Sequence, residues 1–133
     1  MAKTSGLGFT TCSLDDSAGS VVAIKNDVTD LQWSTPRGVQ DVTGIDKSAF
    51  ERLLLLADFS CSLKGVFNAA LSHTALRTAS STSVARTLTL VVAGATLANE
   101  VLITDYQLSR STSGELTWTA PLSLADGTVP TWS

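Results

Sequence analysis

At 133 residues, with 44% hydrophobic and only 16% charged residues, the chain is the size of one domain and has ample apolar material for a core that stands without disulfides. The net charge is −3 and the nine Lys and Arg residues form no cluster, so the electrostatic footprint of a nucleic-acid binder is missing. Met1–Gly8 has no apolar core of signal-peptide length and no apolar run is long enough to span a bilayer; the expectation is a protein neither secreted by that route nor anchored in a membrane.

Met1 to Gly8 are small and polar and read as a flexible N-terminal arm ahead of a single domain over residues 9–133. Phe9–Leu14 and Ser20–Lys25 read as a first hairpin around the turn formers Asp15 to Gly19. Val28–Trp33 reads as a strand ending in a turn at Ser34–Thr35–Pro36–Arg37–Gly38, with Val39–Thr43 returning from it. Asp46 is placed to cap a helical connection over Lys47–Leu56, where alternation vanishes and helix formers dominate. Alternation resumes in Ala57–Phe67, with Phe59, Cys61, Leu63 and Phe67 on one face and Asp58, Ser60, Ser62 and Lys64 on the other, as in a central strand with one buried face.

A second short helix is expected within Asn68–Ala79, from Leu71, Ala75, Leu76 and Ala79 at helical spacing, followed by a loop over Ser80–Ser83. Leu88, Leu90 and Val92 alternate with threonines, and Ala93–Thr96 turns the chain. Glu100–Leu108 supplies a further strand, Ser111–Gly114 turns again, and Glu115–Leu124 places Leu116, Trp118, Ala120, Leu122 and Leu124 on one face. The fold class is mainly β: an antiparallel β-sandwich or half-barrel with one or two short helices.

Chemistry is sparse. His73 is the only histidine, and no Gly-x-Ser-x-Gly elbow accompanies it, so it reads as a surface or helix-face residue. No Cys-x-x-Cys, His-x-x-x-His or acidic calcium loop points to a metal, and no glycine-rich fingerprint points to a cofactor. The carboxylates are scattered and read as solvated faces and turns. Cys12 and Cys61 read as free buried thiols of a cytosolic protein, with a disulfide as the alternative in an oxidising compartment. Trp118 reads as core, whereas Trp33, beside a Pro–Arg–Gly segment, and Trp132 read as anchors for a neighbouring subunit.

Several local patterns in fixed order carry a family resemblance. They are Asn26–Asp30, Thr35–Pro36–Arg37–Gly38–Val39–Gln40–Asp41–Val42–Thr43, the Leu53–Asp58 entry into Ser62–Asn68, and the closing Gly114–Trp118 with Asp126–Trp132. In these the sequence resembles the major tail tube proteins of long-tailed, non-contractile bacteriophages. The resemblance implies a non-enzymatic virion protein whose copies join sheets edge to edge into hexameric rings, stacked as a hollow conduit for DNA ejection. It implies as partners the chain itself, a tape-measure protein, tail-tip and terminator proteins, and double-stranded DNA passing the lumen without specific binding. It places the protein in the phage tail, and in the host cytoplasm during assembly. By position, Trp33, Thr35, Pro36, Arg37 and Gly38 become candidates for contacts between rings or subunits, with Trp132 as a further anchor and Met1–Gly8 as a contact arm. The mild acidity agrees with a lumen that does not hold phosphates. The rivals are a distal tail or tail terminator protein of the same fold, a carbohydrate- or ligand-binding β-module using Trp33 and Trp132, and an enzyme working through His73.

Overall fold

The computed structural model describes residue 3 and residues 5–133. The strands are β1 (Phe9–Asp15), β2 (Val21–Ala23), β3 (Val28–Ser34), β4 (Arg37–Asp41), β5 (Arg52–Ala57), β6 (Ser60–Val66), β7 (Arg86–Val92), β8 (Ala95–Ile103), β9 (Gln107–Arg110) and β10 (Leu116–Leu124), with one helix, α1 (Ser72–Leu76). All pairings are antiparallel. One eight-stranded sheet runs β2-β1-β7-β8-β10-β6-β3, with β9 on β10, and β4 and β5 form a separate ribbon. Phe9 on β1 meets Trp33 on β3, so the two ends of the sheet curl toward each other as a half-barrel.

The apolar alternation read from the sequence is what fills this half-barrel. Phe59, Cys61 and Leu63 are buried, as are Leu88 and Leu90 on β7 and Trp118, Ala120 and Leu122 on β10. Trp118 lies in the middle of the sheet and reaches a polar partner without leaving the core, its indole N–H donating to the Val66 carbonyl at 3.0 Å. It can do so because Gly65 lies against its ring. A Cβ at Gly65 would come within 2.7 Å of Trp118 Cζ2 and run into the Asp27 carbonyl.

Five expectations need correction. The helix over Lys47–Leu56, with Asp46 as its cap, does not exist: Arg52–Ala57 is strand β5, paired with β4 through Val39 opposite Leu54 and Gln40 opposite Leu53. The leucines have helix propensity, but a cross-strand ladder satisfies the same backbone groups and wins. The segment Ser34–Gly38 is not a reversal either; the chain runs through it, and Arg37 and Gly38 already belong to β4. The expected strand Glu100–Leu108 is two elements, because β8 starts at Ala95 and ends at Ile103 before β9 begins at Gln107. The hairpin before it is tighter than expected: Val92 pairs with Ala95 across Ala93 and Gly94, which adopt φ of 50° and 88°. The second helix is confined to Ser72–Leu76 within the expected Asn68–Ala79.

That short helix is tied down by two buried charges. Asp27 accepts from Asn68 Nδ2 at 3.0 Å and from the Ser72 N–H at 3.1 Å. Arg86, also buried, donates to the Ala75 carbonyl and to the Thr78 and Thr82 hydroxyls, and burial lowers its pKa. Cys12 and Cys61 are free and buried. Of the expected contact arm Met1–Gly8, residues 1, 2 and 4 lie outside the described residues; Gly6–Gly8 forms a 3-10 turn capped by the Ser5 hydroxyl on the Leu7 N–H. No helix among the described residues is long and apolar enough to cross a membrane.

Candidate functional site

The ribbon of β4 and β5 is a direct extension of β3 and β6. Ser34 pairs with Ser60 at the end of the main sheet and Arg37 pairs with Ala57 at the start of the ribbon. Between them, the Asp58 N–H donates to the Pro36 carbonyl at 2.9 Å. A two-stranded arm therefore leaves the body. Its root is held by Arg37, whose Nε and Nη2 donate to the Leu55 carbonyl at 3.0 and 2.8 Å. The register shifts between Arg37 and Val39, where Gly38 lies against Leu55. At the far end, the Thr43 hydroxyl donates to Asp41 and accepts from the Glu51 N–H at 2.9 Å, and the Val42 N–H donates to the Glu51 carbonyl. Bonds from Thr43 hold the Asp41 carboxyl below its ordinary pKa.

The arm's surface is apolar on both faces. Leu53, Leu54, Leu55 and Leu56 are all exposed, Leu54 to 61% and Leu56 to 91%, and Val39, Val42, Ile45 and Phe50 are exposed with them. An isolated two-stranded ribbon is marginal in water, and an uninterrupted run of apolar residues is what strands buried on both faces carry. Contiguous exposed apolar surface of this kind marks an interaction site.

Of the residues singled out in the sequence, Thr35, Pro36, Arg37 and Gly38 come together at the root of this arm. Trp33 lies just before it and turns inward. Its ring stands edge-on to Phe9 at 6.1 Å and lies 6.3 Å from Trp132, so the two tryptophans close the end of the half-barrel within one chain. Trp132 bridges to Leu97, Ser133 exchanges two 2.9 Å backbone bonds with Thr96, and Trp132 keeps 44% exposure. The residues that sequence reasoning missed are the leucines themselves. The available signal was four consecutive leucines, which leave no polar face for a surface helix.

The outer face of β3, β6, β10 and β9 has the opposite character. Gln32, Ser34, Ser60, Ser62, Thr117, Thr119, Ser123, Gln107 and Ser109 cover most of it, with Val66 and Pro121 among them, and its two charges, Asp30 and Lys64, stand opposite each other in register. Ser34 and Ser60 join hydroxyls at 3.0 Å. Elsewhere, His73 Nδ1 lies 3.2 Å from the Tyr106 hydroxyl and its ring lies tilted against Phe67, centroids 4.8 Å apart. No group of three or more His, Cys, Asp or Glu residues suited to a metal occurs among the described residues.

Comparison with known proteins returns no matching family model and no matching curated protein. Among solved structures, a chain from the tail of an empty gene transfer agent particle with C6 symmetry has the same fold, with a TM-score of 0.76 at 18% identity and 98% of each chain covered. A chain from the virion of a native gene transfer agent particle gives a TM-score of 0.77 at 16% identity, covering 98% of this chain and 99% of that one. This chain thus shares, from end to end, a fold found in gene transfer agent particles, and at these identities the likeness concerns the fold.

Proposed function

We propose that this chain is a structural, non-enzymatic subunit of a phage-like tail, a tail tube protein that assembles with copies of itself into stacked hexameric rings around a lumen for DNA. The observation that carries this reading is the arm: a ribbon with leucines exposed on both faces, projecting from a fold shared with a gene transfer agent tail. A free monomer gains nothing from such a ribbon, whereas an assembly buries it. The hydroxyl-rich face of β3, β6, β10 and β9 supports a lumen role, since its paired Asp30 and Lys64 leave no net charge to hold phosphates. Tape-measure and tail-tip or terminator proteins are the further partners, and the tail of the particle, reached by assembly in the host cytoplasm, is the location.

The carbohydrate-module reading loses ground because Trp33 and Trp132 pack against each other instead of offering a flat platform. Negative-stain electron microscopy of the purified protein across a concentration series is the test. Hollow filaments of uniform width are expected. Isolated rings would point to a distal tail or terminator role, and monomers at every concentration, even with tail-initiator components added, would remove the proposal.

A further inference from the structure

The arm needs a surface to cover it, and the geometry points to the open groove between β1 and β3, where β5 of a second copy fits as an added strand. This assignment rests on the tail-subunit reading and names the receptor for its arm. Strand β3 pairs with β6 alone, so among the described residues no strand lies along its outer edge. Across the gap, β2 covers only Ser13–Asp15 of β1, leaving Phe9–Cys12 without a strand on that edge, where the Ile24 N–H and Lys25 Nζ bond the Cys12 and Thr10 carbonyls. Between the two edges lies a cavity of about 660 Å³ lined by Leu7, Phe9, Leu31 and Trp33 together with the charged Lys25 and Asp30. The groove combines the free backbone edge of β3 with a largely apolar floor, which are the two requirements for recognising an extended segment by strand addition.

Strand β5 has a free edge of its own opposite β4, and its six residues match the seven of β3 in length. Its leucines point to both sides, so either face turned toward Leu31 and Trp33 brings apolar contact. The chain's own arm cannot reach this groove. It continues β3 past Pro36, and the Asp58–Pro36 bond and the Arg37–Ala57 pairing direct it away from the body. A contact between two different surfaces, arm into groove, leaves a free arm and a free groove at the ends of every pair. It therefore propagates into a ring or a filament instead of stopping at a dimer.

The test places a photo-activatable benzophenone amino acid at Leu56 and maps the cross-links by mass spectrometry in filaments grown from mixed light- and heavy-isotope protein. Cross-links between copies, landing on Val28–Ser34 or Phe9–Cys12, are expected. In parallel, Leu7→Glu at the exposed mouth of the groove should leave the circular dichroism spectrum unchanged and reduce filament yield by about tenfold or more, equivalent to about 1.4 kcal/mol of contact energy. Filaments that form normally but cross-link Leu56 elsewhere, or that tolerate Leu7→Glu, overturn the groove and leave the tail reading standing. Protein that never assembles overturns both.

Discussion

The Asp58 N–H donates to the Pro36 carbonyl at 2.9 Å, and this bond carries the ladder of the main sheet across its break into the arm. Both residues suit the joint. Pro36 has a fixed φ and no N–H to leave unpaired, and the Asp58 carboxylate accepts from the Phe59 N–H at 2.8 Å. The joint therefore aims the arm before any partner arrives. Pro36→Gly should cost about 1 kcal/mol or less globally but loosen the arm selectively. Hydrogen exchange is the measurement: amides of Val39–Asp41 and Arg52–Leu55 should exchange faster while those of β6 and β10 keep their protection. Equal protection in the variant would show that the joint does not order the arm.

The leucines of the arm should separate folding from assembly. Because Leu54 and Leu56 are exposed in the single chain, a Leu54→Asp/Leu56→Asp variant should keep its melting behaviour, with a change within about 0.5 kcal/mol per site. At a buried contact between copies, the same charges should cost about 2 kcal/mol or more, enough to abolish assembly at concentrations where the parent protein polymerises. Sedimentation velocity beside thermal melts reads both quantities. A variant that assembles like the parent would exclude the arm as a contact.

The body of the fold was legible because alternation reports burial directly. Phe59, Cys61 and Leu63, like Trp118, Ala120 and Leu122, lie on the face their spacing assigns them. The arm was not legible for the same reason. Alternation marks a strand that is buried on one side and wet on the other, and Leu53–Leu56 lies in a ribbon exposed on both sides within the single chain. Its partner is absent from its own sequence neighbourhood, so its period carries no strand signal and propensity alone favours a helix. The site residues show a similar divide. Pro36 and Gly38 mark a special backbone in the sequence, yet whether that backbone reverses or runs on depends on Ala57 pairing with Arg37, twenty residues away. Trp33 and Trp132 stand about a hundred positions apart, and nothing local joins them.

Gly65 carries the close approach at the centre of the core. In Gly65→Ala the new methyl meets backbone on one side and the Trp118 indole on the other, and neither can yield without disturbing the Trp118 bond to Val66. Overpacking of this kind costs about 1–3 kcal/mol, and here it adds the loss of a buried hydrogen bond worth about 1 kcal/mol. Urea denaturation should show a lower midpoint together with a shift in tryptophan fluorescence. An unchanged midpoint would mean that the sheet opens at β6 more easily than its packing indicates.

The buried thiols should make stability fall in alkali. Burial pushes Cys12 up from 9.0 to about 11 and Cys61 up from 9.0 to about 12, the latter with a smaller contribution from the neighbouring Cys12. Both folded values lie above the unfolded one, so the folded state keeps its protons where the unfolded state releases them. The contribution is fully present below pH 9.0 and is lost as pH rises through the window from 9.0 to about 11 and 12. Each thiol adds a slope approaching about 1.4 kcal/mol per pH unit within that window. Tyr106, also raised by burial, contributes in the same direction, so the informative comparison is with a Cys12→Ala/Cys61→Ala variant measured beside the parent. The variant should start less stable at pH 8, because two cavities open in the core, and its stability should then decline less steeply. Thiol-reactive dye should label the parent only on unfolding. Parallel pH profiles for the two proteins, or rapid labelling of the folded parent, would contradict the burial of these side chains.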